Sequence, residues 1–155
     1  MAAPIGPYTP VVRAGDWIIV SGQLGLRDGS LVEGGVKAQT TQAIVNLRAH
    51  LESVGAKLSD VAKTLCFLTD MDTFPTFNES YVAGFGSHRP ARSTIGVASL
   101  PAGGAVEIEA WAYVPVAKLA TKSVATKSTA AKSGAAKPAV AKSAATKPVA
   151  KRKKK

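Results

Sequence analysis

The chain is predicted to fold as an α+β domain, and three observations predict it. Runs dense in β-formers alternate with two segments of helical apolar spacing, in the order strands, helix, strand, helix, two strands. Glycine- and proline-bearing turns punctuate those runs. The composition then changes abruptly, so residues 1–115 form one domain and residues 116–155 form a lysine- and alanine-rich tail. A domain of that size can bury a modest core.

Trp17-Ile18-Ile19-Val20-Ser21 is the first clear strand signal. Asp28-Gly29, set between Leu26 and Leu31-Val32, is a tight hairpin turn. From about Val36 to Val54 the apolar residues Ile44, Leu47, Leu51 and Val54 fall on one helical face, and Gly55 supplies a left-handed stop. Val61 to Thr69 is a buried strand. A second helix starts near Thr73, tolerates Pro75 in its first turn and ends at Gly84 and Gly86. Phe74, Phe77, Tyr81 and Phe85 form its apolar stripe, a core stripe in the simplest reading. Arg92 to Ala98 and Val106 to Val114 are two further strands joined by the Pro101-Ala102-Gly103-Gly104 turn. Helices on one sheet face leave the other face uncovered, and oligomerisation would cover it.

Charge divides unevenly. Residues before Lys118 hold eight basic side chains and all ten acidic ones, a balance of −2. From Lys118 onward there are eleven lysines, Arg152 and no acid, a balance of +12 that gives the chain its net +10. The single cysteine, Cys66, excludes an internal disulfide, fits a reducing compartment and sits in the apolar run Leu65-Cys66-Phe67-Leu68 as a buried small hydrophobe. No signal peptide or membrane-span signal is visible, so a cytoplasmic location is expected. His50 and His88 have no spaced ligand set around them, so no metal is expected.

The chemistry concentrates in Pro90-Ala91-Arg92-Ser93-Thr94 and Val106-Glu107-Ile108-Glu109-Ala110. An arginine is a planar, permanently charged fork for a carboxylate. A glutamate can orient a water or move a proton. Alternation puts Glu107, Glu109, Trp111 and Tyr113 on one strand face, and Arg92, Thr94 and Gly96 on one face of the preceding strand. The expectation is that Arg92 and Glu107 face one cleft, a pocket for a small carboxylic acid.

Taken in order, Ile5-Gly6-Pro7-Tyr8, Ser21-Gly22-Gln23, Gln39-Thr40-Thr41-Gln42, Asn46-Leu47, Val61-Ala62-Lys63-Thr64, Phe74, Asn78, Tyr81, Pro90-Ala91-Arg92-Ser93, Leu100-Pro101 and Val106-Glu107-Ile108-Glu109 resemble the Rid family, also called the YjgF family, of imine deaminases. The resemblance spans residues 4–114. It implies a chorismate-mutase-like mixed sheet with two helices on one face, a homotrimer, and active sites in clefts between subunits. It implies hydrolysis of enamine and imine acids, such as 2-aminoacrylate and 2-iminopropanoate, to 2-oxo acids and ammonia, with no cofactor.

By the resemblance, Arg92 is the carboxylate clamp and Glu107 the glutamate that positions water. Tyr8 and Ser21 are pocket residues, Asn78 is site-proximal, and Thr94 stands in the pocket where many members carry cysteine. The start of the chain is short, which truncates the family's first strand, and Gly84-Phe85-Gly86 alters the cleft rim. Alternative readings stand beside these. Arg92 could form an inter-subunit ion pair and Glu107 a sheet ion pair. Tyr8 could pack in the trimer, Ser21 could bond backbone, and Asn78 could brace a helix.

The tail repeats lysine every five residues at Lys122, Lys127, Lys132, Lys137, Lys142 and Lys147, then ends in Lys151-Arg152-Lys153-Lys154-Lys155. Without aromatics or large apolar groups it is expected to be disordered. If it became helical, a five-residue step would turn about 140° and spread the charges around the axis, which disfavours a membrane-lying helix. The pattern resembles lysine-alanine tails of linker histones and actinobacterial histone-like proteins. It implies sequence-blind contact of these eleven charges with nucleic-acid phosphates. Three tails on a trimer would add avidity. A nucleoid-associated location follows, or a nuclear one in a eukaryote. Two rival functions remain open: a chromatin- or nucleoid-associated protein in which the trimer multimerises the tails, and a non-enzymatic holdase or metabolite sensor. The full chain is expected to bind duplex DNA with affinity falling about 10³–10⁵-fold between about 50 and 200 mM salt. Fluorescence anisotropy on the full chain and on a chain ending at Pro115 checks this; undiminished binding by the shorter chain contradicts it.

Overall fold

The computed structural model describes residues 5–116. The tail positions from Lys122 to Lys155 lie outside the described residues.

Strand β1 (Val11–Ala14) turns at Gly15-Asp16 into β2 (Trp17–Leu24), antiparallel with Val11 opposite Val20. β1 is a four-residue edge strand that the sequence did not show, because Val11-Val12-Arg13-Ala14 is too short to display a period. The expected truncation at the start of the chain falls on positions that include residues outside the described ones. β2 runs three residues past Ser21 and is bulged: Val20 pairs with Ala110 and Gln23 with Ile108, so Ser21 and Gly22 oppose Glu109 alone. A small hairpin follows, β3 (Leu26–Arg27) and β4 (Ser30–Leu31). Its turn residues Asp28 and Gly29 both have positive φ, 52° and 83°, as an Asp-Gly two-residue turn requires.

Helix α1 (Gly35–Ser53) buries Val36, Ala43, Ile44, Leu47 and Leu51, and Gly55 follows at φ 79°. Strand β5 (Val61–Leu68) leads through a 3₁₀ turn to α2 (Phe74–Phe85), which buries Phe77, Tyr81 and Phe85. Gly86 ends α2, whereas Gly84 lies inside it. A Cβ at Gly84 would lie 2.5 Å from Ile44 Cδ1, so this glycine allows α1 and α2 to approach and does not stop the helix. Strands β6 (Ala91–Gly96) and β7 (Val106–Tyr113) complete the fold.

The five-stranded sheet has the order β1-β2-β7-β5-β6, with β5 and β6 parallel and the other pairs antiparallel. The mixed sheet with two helices on one face is as expected. The pairing of the last two strands is not: β5 lies between β6 and β7, so the Pro101–Gly103 segment is a crossover and not a hairpin turn. Val106, Ile108, Ala110 and Ala112 of β7 face the helices and are fully buried. The opposite sheet face exposes Trp17, Ile19, Ile95 and Tyr113. Among the described residues no helix is long and apolar enough to cross a membrane.

One polar clamp ties α1 to the end of β2. Asn46 Nδ2 donates to Leu24 O (3.0 Å) and Leu26 O (2.9 Å), while its Oδ1 accepts from Gln42 Nε2 (2.8 Å). Gln42 Oε1 in turn accepts from both Nε and Nη2 of Arg27. Asn46→Ala leaves two carbonyls without donors and is expected to destabilise the fold by about 1–3 kcal/mol, read as a lower urea midpoint at unchanged slope.

Candidate functional site

The sequence-predicted residues gather in two places on opposite faces of the sheet. The first lies where the N-terminal segment crosses the bulge in β2. It is a pocket of about 350 Å³ lined by Ile5, Gly6, Tyr8, Ser21, Gly22, Leu24, Pro101 and Glu107. Ser21 anchors the crossing segment: its N–H donates to Pro10 O and its Oγ to Thr9 O, both at 2.9 Å. Gln23, buried, donates to Ser21 O and stiffens the bulge. Tyr8 is exposed at the pocket mouth, in a tight turn closed by its N–H on Gly6 O. The Glu107 carboxylate accepts no hydrogen bond from the described residues. Burial pushes its pKa above the ordinary 4.5, and the neighbouring Glu109 raises it further.

The second place lies against α2. Arg92 projects from β6 beneath the aromatic stripe, with its guanidinium carbon 4.7 Å from the Tyr81 ring centre, 5.3 Å from Phe77 and 5.5 Å from Phe74. Its Nη2 donates to Asn78 Oδ1 at 2.7 Å. No carboxylate among the described residues pairs with it. Ring quadrupoles attract the cation with about 0.5–2 kcal/mol per close contact and leave its remaining N–H groups free. Thr94, two residues along the same face, has a buried Oγ1 whose polar neighbour is the Cys66 thiol, a weak partner that leaves it without a strong hydrogen bond. Beneath lie Thr64 and Tyr81, joined at 2.7 Å, and buried Cys66. Burial pushes the Cys66 thiol up to about 11 and the Tyr81 phenol up to about 12, so both stay neutral beside the guanidinium.

The expectation that Arg92 and Glu107 face one cleft within the chain is therefore corrected. In the ladder, Arg92 is opposite Thr64, and Thr64 opposite the buried Ala110; Glu107 is opposite Phe67, and Phe67 opposite Ile95. Arg92 thus lies on the helix side and Glu107 on the open side. Each strand's alternation was legible, but the relative phase was not, because β5 between them sets it. Gly84-Phe85-Gly86 also falls elsewhere, lining a separate depression with Arg48, Glu52 and Lys57 instead of either half-site.

Two contributors were missed by sequence reasoning. The stripe Phe74, Phe77 and Tyr81 is core and at the same time the seat of Arg92. Gly22 lies directly under the Glu107 carboxylate, a contact that the ordered Ser21-Gly22-Gln23 motif marked without explaining. Among the described residues no cluster of three His, Cys, Asp or Glu side chains could hold a metal ion.

Comparison with known proteins gives this geometry a family. The model for endoribonuclease L-PSP matches residues 1–114. The chain belongs to the endoribonuclease L-PSP family. A Mus musculus member named 2-iminobutanoate/2-iminopropanoate deaminase is 45% identical over 110 residues, covering 70% of this chain and 82% of that protein. The crystal structure of RidA from an Antarctic Psychrobacter superposes with a TM-score of 0.70 at 41% identity, covering 72% of this chain and 92% of that one. Escherichia coli TdcF, solved with bound serine, gives a TM-score of 0.67 at 34% identity over 71% of this chain and 90% of that one. The resemblance to the Rid family read from the sequence stands on these family members.

The raised Glu107 pKa has a consequence for stability. The folded state holds this proton to higher pH than the unfolded chain, so ionisation weakens the fold as pH rises through the unfolded value near 4.5. Glu107→Gln is expected to raise the melting temperature at neutral pH, with the gain vanishing at pH below that value. Thermal scans of both proteins across pH measure it.

Proposed function

We propose that the chain is an enamine/imine deaminase that hydrolyses small 2-imino acids of the 2-iminopropanoate type to 2-oxo acids and ammonia. The observation that supports this best is the pairing of two incomplete half-sites: an arginine without a carboxylate partner beside a weakly bonded threonine hydroxyl, and a partly desolvated glutamate in a small pocket. The deaminase names of close relatives support the same reading. So does the serine bound by TdcF, a small amino acid whose carboxylate suits an arginine clamp. The family description names an endoribonuclease, but the acidic balance of the domain does not favour a polynucleotide groove.

In this reading the protein is a homotrimer, and Arg92 of one subunit meets Glu107 of its neighbour. The apolar open face of the sheet supports burial against a second copy. Arg92 holds the substrate carboxylate through the N–H groups that Asn78 does not use. Thr94 Oγ1 donates to the same ligand. Tyr8, with Ser21 fixing its segment, closes the pocket wall. The protonated imine carbon is already electrophilic, so no strong nucleophile is needed. Glu107 takes a proton from water as its oxygen bonds to that carbon. The C=N electron pair moves to nitrogen to give a neutral carbinolamine. Glu107 returns its proton to that nitrogen, and ammonia leaves as the hydroxyl oxygen forms the carbonyl. The hydroxyl proton passes to the freed Glu107 carboxylate and from there to solvent or ammonia. Burial and the neighbouring Glu109 raise the Glu107 pKa, which suits a group that must accept and return a proton in one cycle.

The tail is proposed as a separate polyanion-binding appendage. Its charge pattern supports it, and the folded domain takes no part in it.

Glu107→Gln is expected to lower kcat by about 10²–10⁴-fold. Arg92→Ala is expected to lower kcat/KM at least about 10²-fold through lost charge-assisted hydrogen bonds. Because each site takes one half from each of two subunits, unfolding and refolding an equal mixture of Arg92→Ala and Glu107→Ala should restore about a quarter of wild-type activity. Ammonia release from freshly generated 2-iminopropanoate reports all three. A mixture that stays inactive although mixed trimers form defeats the shared-site arrangement.

A further inference from the structure

We infer that Gly22 is a positioning residue for Glu107: the side chain it lacks is the seat in which the carboxylate lies. A Cβ built at Gly22 falls 1.6 Å from Glu107 Oε1, 2.5 Å from its Cδ and 2.9 Å from its Cγ. The whole end of the glutamate therefore occupies the volume that any other residue at position 22 would fill.

The backbone does not ask for glycine here. Gly22 is absent from the residues with positive φ, unlike Gly15, Gly29 or Gly55. What requires glycine is contact with one side chain. The bulge makes that contact possible: it places two β2 residues opposite Glu109 alone and advances Gly22 towards Glu107. Gln23 holds the bulge through its donation to Ser21 O.

Shape also has to do what polar contacts do not. The Glu107 carboxylate accepts no hydrogen bond from the described residues, so no donor fixes its rotamer. Leu24 and Pro101 bound the pocket beside the carboxylate, and the Gly22 backbone lies against it. A group that must orient a water needs its position held, and displacement by about 1 Å can lower the rate about 10²-fold. Gly22 acts through Glu107 and touches neither water nor substrate in this assignment.

The inference rests on the deaminase reading for its kinetic test but not for its structural one. Gly22→Ala is expected to lower kcat by about 10²-fold while KM changes less than about threefold, since in the proposed site the Arg92 clamp is supplied by a different subunit. The acidic limb of the pH–kcat profile should move, because the displaced carboxylate meets different solvent. In a Glu107→Gln background the same substitution should change kcat less than about twofold, the non-additivity of residues acting as one unit. The second measurement is thermal stability: Gly22→Ala should lower the melting temperature in the wild-type protein but hardly at all in Glu107→Ala, where the obstructing carboxylate is gone. Equal losses in both backgrounds would mean that alanine merely disturbs the bulge, and would overturn the inference. A wild-type protein inactive on 2-iminopropanoate would defeat the deaminase reading alone, with the stability cycle still deciding the seat.

Discussion

Strand β5 lies between β6 and β7, and its side-chain alternation fixes the faces that Arg92, Thr94 and Glu107 take. It is parallel to β6 and antiparallel to β7. Thr64, Cys66 and Leu68 turn towards the helices, so their ladder partners Arg92, Thr94 and Gly96 do too. Phe67 turns the other way with Glu107. A sheet is one residue thick, so a cation and a carboxylate on opposite faces cannot form one site. Each chain therefore carries Arg92 and Glu107 on separate faces, and it is the proposed trimer that would bring the two together.

The two halves are prepared by different physics. Arg92 is solvated by ring faces and one amide oxygen in place of a carboxylate. That environment holds the guanidinium in place without neutralising it, which keeps its attraction for an incoming anion. Cys66 and Tyr81 beneath it are kept neutral by burial and add no competing negative charge. Glu107 is instead partly desolvated and left without a donor, next to Glu109. Its ionised form is disfavoured, which costs stability and raises its readiness to hold a proton. Local stability is given up at the residue whose protonation changes in the proposed reaction.

Glycine has two distinct uses in this fold. Gly29 and Gly55 are needed for backbone conformations at positive φ. Gly22 and Gly84 are needed for space, one for a carboxylate and the other for Ile44. The first use can be read from turn chemistry, as at Asp28-Gly29. The second depends on what arrives from elsewhere in the chain, and no local pattern around Ser21-Gly22-Gln23 or Ala83-Gly84-Phe85 announces it.

The sequence by itself determined the α+β class, both helices, the hairpin at Asp28-Gly29 and four of the strands, and it named the candidate residues for the proposed chemistry. These are local: periods of 2 and 3.6 residues and turn preferences are set by the neighbouring backbone. It also separated the acidic domain from the basic tail, since charge is a matter of counting. Only the tertiary structure decided that Arg92 and Glu107 lie on opposite faces, that the aromatic stripe cradles the arginine, and that Gly22 seats the glutamate. Each of these depends on the relative phase of strands far apart in sequence. That phase is set by long-range pairing and by one bulge, and a one-residue change in register inverts it.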